Sequence, residues 1–92
     1  MLFVALGKLK QGADPKESME RRLKWEYPEG SGVVAEYWLQ TPDPSIVIVA
    51  NADRVATLMA MTAAWEDLYD IRVVPAVMAE EGLEIAKQMM EE

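Results

Sequence analysis

The sequence predicts one α+β domain, a four-stranded antiparallel sheet with helices against it, and three observations lead there. Residues 2–9, LFVALGKL, and 46–51, IVIVAN, are almost continuously apolar runs of strand length. VVAEYWLQ, residues 33–40, and DIRVVPAVM, residues 70–78, are two further strand-like runs. Helix-type segments lie between the first and second strands and between the third and fourth, giving the order β-α-β-β-α-β and then a last helix. The 92 residues, 51% of them apolar, suffice for a single domain spanning 1–92 and one core.

Each element has a local reason. After the first strand, Asp14 suits an N-cap, Pro15 suits the first helical position, and Glu17 completes a capping-box spacing. Glu17–Arg21 and Glu20–Lys24 are i,i+4 pairs in the favourable direction, and Met19 and Leu23 begin an apolar stripe. Pro28, Gly30 and Gly32 stop this helix near Glu26. The second strand, VVAEYWLQ, passes through the short TPDPS connection into IVIVAN, as a hairpin does. From about Asp53 a second helix places Val55, Leu58, Met59 and Thr62 on one face, and Trp65 closes it. The fourth strand contains Pro75. The segment AEEGLEIAKQMM reads as a final helix with Leu83, Ala86 and Met90 on one side.

Split βαβ units in this order make a ferredoxin-like sandwich with sheet order 4-1-3-2. Pro75 agrees, because a strand proline belongs on an edge. The central strands show no apolar–polar alternation, so both faces of the sheet are apolar, whereas three short helices cover only one. An apolar face of several hundred Å² is more than a monomer usually exposes. The expectation is therefore a homodimer joined through its sheet faces.

Composition narrows the function classes. The net charge of −7 opposes sequence-independent nucleic-acid binding and docking on anionic membranes. No cysteine and no histidine are present, which removes thiolate chemistry, Cys and His metal ligands and the Ser-His-Asp triad. We expect neither metal nor organic cofactor. The opening MLFVALGKLK has no basic leader and reaches Lys8 early, so a cytoplasmic location is expected. Glu66, Asp67 and Asp70 lack calcium-loop spacing and read as a solvated turn.

The strings MLFVALGKL, VVAEYWLQTPDP and VVPAVMAEEGL, together with the element order, resemble the dimeric α+β barrel superfamily of ferredoxin-like proteins, and within it one of the uncharacterised prokaryotic domain families. The resemblance spans essentially the whole chain and implies the fold and the dimer. Members of that superfamily include cofactor-free monooxygenases and muconolactone isomerases. Its haem-degrading members use a histidine ligand that this chain lacks.

The candidate site residues come from strand alternation and helix ends. Strict alternation puts Val33, Ala35, Tyr37 and Leu39 under the helices, and Glu36, Trp38 and Gln40 on the face toward a partner. Arg72 is a possible ion-pair partner for Glu36. These charges either line a pocket or discourage unwanted edge pairing. If a base is needed, Glu36 beside an indole is the weak candidate, with a raised pKa expected. Trp25 and Trp65, with Tyr27 and Tyr69, sit at helix ends, either as lids on the core or around a cavity. Three functions stay open: binding of a small, partly apolar molecule; a cofactor-independent monooxygenase or isomerase with Trp38 as a wall; or a regulatory or protein-interaction module.

Overall fold

The computed structural model describes residues 1–91. Its elements are β1 (Leu2–Leu9), α1 (Pro15–Lys24), β2 (Ser31–Trp38), β3 (Ile46–Ala52), α2 (Val55–Ala63), β4 (Tyr69–Pro75) and α3 (Ala79–Glu91). The sheet runs β2-β3-β1-β4 and every pair is antiparallel. This is the ferredoxin-like order read from the sequence, with Pro75 at the end of edge strand β4.

Local signals set most boundaries. Asp14 caps α1 by accepting from the Lys16 amide at 2.9 Å, with Pro15 in the first turn. Glu17 turns to Arg21 at 3.4 Å rather than closing a reciprocal box. Gly30 turns the chain into β2 at φ +88°, a conformation that disfavours any residue with a Cβ.

The faces depart from strict alternation, and a β-bulge is the reason. Val33 lies opposite Ala50, but Ala35 lies opposite Val49, so Val34 is an extra residue in β2. One inserted residue inverts every following side chain. Glu36 then pairs with Ile48 and Trp38 with Ile46, on the side that carries the buried Phe3 and Ala50. Tyr37 pairs with Val47 on the opposite face and is 58% exposed. The expectation that Tyr37 is core and that Glu36 and Trp38 face away from the helices is therefore corrected.

Two helix faces are corrected as well. In α1 the buried residue is Ser18, while Leu23 is 80% exposed and Met19 is also exposed. In α2, Thr57 and Met61 are buried whereas Val55 and Met59 point outward. The second helix is apolar nearly all round, so its period defines no unique inner face.

The packed core adjoins a cavity and shares Phe3, Ile48, Leu58 and Met61 with its wall. In the core Phe3, Ala50, Ala52 and Met61 close together, with Leu58, Ile48 and Val73 against them. Beside it the sheet carries Gly7, Ile46 and Ile71, and α1 lies over the cavity instead of a core. A Cβ on Gly7 would stand 2.6 Å from Ile46 Cγ2, so the missing side chain keeps the floor of that cavity low. On the open face, Leu2, Val4, Leu6, Val47 and Val49 are half-buried, and Val74 is exposed. Helix α3 has no buried residue.

Candidate functional site

The cavity has a volume of about 490 Å³ and lies between the sheet, α1 and the start of the α2–β4 connection. Its floor is Ala5, Gly7, Ile46, Ile48 and Ile71, and its helical side includes Met19, Leu58, Met61 and Thr62. Four aromatics wall it in an edge-to-face series. Tyr27 and Trp25 have ring centroids 5.8 Å apart, Trp25 and Trp65 5.7 Å, and Trp65 and Tyr69 6.0 Å. Such stacking fixes ring orientation beyond what area burial provides.

A polar hub stands at one wall. Arg22 of α1 reaches Glu36 of β2 through Nε and Nη2, both at 3.0 Å. The Tyr27 hydroxyl donates to Glu36 Oε1 at 2.6 Å, and Trp38 Nε1 donates to Oε2 at 2.7 Å. The Glu36 side chain is only 12% exposed. Burial alone would raise its pKa, but the hydrogen bonds from Arg22, Tyr27 and Trp38 outweigh that effect and bring it from 4.5 to about 2. The expectation of a raised value is reversed. A carboxylate with four donors aimed at it is a poor proton acceptor at neutral pH; its role is to hold α1, the α1–β2 loop and β2 in one arrangement. Tyr27 is pushed well above its ordinary range, by burial first and by the Glu36 carboxylate next.

Two further ties hold α1 over the cavity. Ser18 Oγ and the Tyr69 hydroxyl lie 2.6 Å apart. Arg21 bonds the Asp67 carboxylate at 2.7 and 2.9 Å and the Ala64 carbonyl at 3.0 Å, with its guanidinium 5.6 Å from the Trp65 ring centroid. The Arg21 and Asp67 pKa values move apart, each chiefly through that mutual hydrogen bond.

Of the residues singled out from the sequence, Trp25, Trp38 and Trp65 border the cavity, and Glu36 stands behind its wall. Gln40 is exposed beyond the end of β2. Arg72 pairs across the sheet with Leu6, on the face opposite Glu36, so these two charges do not meet; Glu36 takes Arg22 instead. Arg22 and Ser18 are the residues that sequence reasoning passed over. The spacing of Ser18, Arg22 and Trp25 did carry a signal, since i, i+4 and i+7 share one helix face. Among the described residues no cluster of acidic groups could hold a metal ion, and no helix is long and apolar enough to cross a membrane.

No curated protein matches the chain, and no solved structure matches it either. A family model does, over residues 1–90. The chain thus belongs to the family described as a domain of unknown function, DUF3303.

Proposed function

We propose that this protein binds one compact, largely apolar and uncharged molecule per protomer in the cavity beneath α1, as a homodimer joined through its open sheet faces. The cavity's chemistry carries this reading. A volume of about 490 Å³ falls within the usual range for small-molecule sites, about 300–1,000 Å³. Of the polar side chains around it, Ser18 is engaged with Tyr69, Thr62 with the Met59 carbonyl, Ser45 with the Gly7 carbonyl, and Arg22, Tyr27 and Trp38 with Glu36, while Lys8, which also borders it, belongs by strand alternation to the open face of the sheet. A charged ligand would have to break these bonds or go unpaired in an apolar site. The indoles of Trp25 and Trp65, which border the cavity, have no hydrogen-bond partner among the described residues, which leaves two N–H donors for acceptors on a ligand. The dimer is supported by the bare apolar face of the sheet, where Val74 and Tyr37 are exposed beside the central valines.

The uncharged fluorophore N-phenyl-1-naphthylamine tests the site. It should bind saturably, one per protomer, and raise the melting temperature. Thr62→Phe fills the cavity from α2 and removes only a hydroxyl bonded within its own helix, so it should abolish binding while the protein stays folded. Unsaturable binding, or unchanged binding to Thr62→Phe, would refute the proposal. The dimer is tested by sedimentation equilibrium, and a monomer at micromolar concentration would remove it.

A further inference from the structure

We infer that the cavity beneath α1 takes a neutral carbonyl compound (a ketone, ester or lactone), whose oxygen accepts from the indole N–H groups of Trp25 and Trp65 and from Nη1 of Arg22; this rests on the small-molecule reading proposed above.

The free polar capacity of the cavity is made of donors. No carboxylate and no amide side chain lines it. Glu36, the carboxylate behind its wall, already receives two donors on each oxygen. Arg22 Nη2 and the Tyr27 hydroxyl reach Oε1, and Arg22 Nε and Trp38 Nε1 reach Oε2. The other side-chain oxygens around the cavity are hydroxyls bonded within the protein. What stays open is N–H. Trp25 and Trp65 have no side-chain partner among the described residues, and Arg22 spends Nε and Nη2 on Glu36 and leaves Nη1 over. The described residues seal no unpartnered side-chain nitrogen away, so the indole nitrogens of these two half-buried rings stay accessible.

These donors are neighbours. Arg22 and Trp25 stand three residues apart at the end of α1, on one face. The Trp25 and Trp65 rings are 5.7 Å apart, and the Arg22 guanidinium lies 5.8 Å from the Tyr27 ring that also meets Trp25.

Their chemistry selects the ligand. An N–H that a ligand shuts away from water must find an acceptor there, whereas an oxygen that already donates tolerates an idle lone pair. A carbonyl oxygen offers two lone pairs and can take more than one of these donors. A hydrocarbon leaves them all unpaired, and an amine finds no free carboxylate. A carboxylate ligand brings a net charge to a guanidinium that Glu36 already balances. The neutral carbonyl answers the donors without any of these penalties.

Matched naphthalenes that displace N-phenyl-1-naphthylamine test the oxygen alone. In 2-isopropenylnaphthalene a methylene replaces the oxygen of 2-acetonaphthone with little change of shape, and 2-naphthoate carries a charge. Burial of apolar area by itself ranks the hydrocarbon first. The ketone should instead displace the fluorophore at a concentration about tenfold or more below the hydrocarbon's, with the naphthoate weaker than the ketone. The infrared carbonyl stretch of the bound ketone should lie below its value in hexane, as hydrogen bonding requires. Trp25→Phe/Trp65→Phe keeps an aromatic ring at each position and removes both N–H groups. In it the ketone-to-hydrocarbon affinity ratio should fall about threefold or more; a ratio read within one protein cancels any general loss of affinity. Absence of saturable fluorophore binding would defeat the cavity reading and the carbonyl assignment together. Saturable binding with a hydrocarbon as tight as the ketone, a naphthoate tighter than the ketone, or an unshifted stretch would defeat the carbonyl assignment alone. An unchanged ratio in the double variant would also overturn it, and if that variant does not fold, the wild-type ratio and stretch decide.

Discussion

Glu36 is the residue on which three segments converge, and its charge is what they require. Because its pKa is drawn from 4.5 to about 2, it favours the folded state above pH 4.5 and loses that contribution as the pH falls toward 2. Replacing it by Gln puts an amide N–H₂ where only acceptors fit and leaves Arg22 without its carboxylate. Glu36→Gln should therefore cost on the order of 2 kcal/mol at neutral pH, reduced from the buried-pair value because Arg22 is partly solvated. Urea unfolding followed from pH 7 to pH 2.5 checks this: the wild type should lose stability below pH 4.5 more steeply than the variant. Equal slopes would show that another group carries the acid dependence. That Glu36 and Trp38 share a face was legible in the sequence, since residues two apart in one strand point the same way; the low pKa of Glu36 was not, because Arg22 and Tyr27 reach it from outside the strand. Which face was not, because a bulge at Val34 has no signature in a run of valines and alanines.

Elements were legible where their ends are chemically marked. Asp14 and Pro15 announce α1, the TPDPS connection announces the β2–β3 hairpin, and Pro75 announces an edge. Element faces were less so. A helix such as α2, apolar on nearly every side, is oriented by what it meets and not by its own period, and α1 turns Ser18 and Arg22 inward because a cavity and a carboxylate wait there. The entry into β2 is a separate point of dependence. At Gly30, φ is +88° and a Cβ would stand 2.5 Å from Asp53 Oδ2. Asp53 also accepts from the Thr57 hydroxyl at 2.6 Å, so the turn and the first turn of α2 are tied together. Gly30→Ala should destabilise the fold by about 1–3 kcal/mol, read as a lowered urea midpoint with unchanged slope. A neutral result would mean that the turn relaxes freely.

At the scale of the whole molecule, packing is uneven. Phe3, Ala50, Ala52 and Met61 weld one part, while beside it α1 spans a hollow and is secured through Ser18, Arg21 and Arg22. Opening free energies follow packing, so within the body of residues 1–75, apart from α3, which buries no residue, α1 is the segment that should let go first. Amide hydrogen exchange within that body should run fastest through residues 18–24 and slowest in β1 and β3; uniform protection would contradict the gradient. Filling the hollow supplies the missing neighbours, and N-phenyl-1-naphthylamine should slow exchange in α1 more than anywhere else. On the proposed reading, the void under α1 would make the helix a gauge of occupancy, loose when the chamber is empty and quiet when it is full.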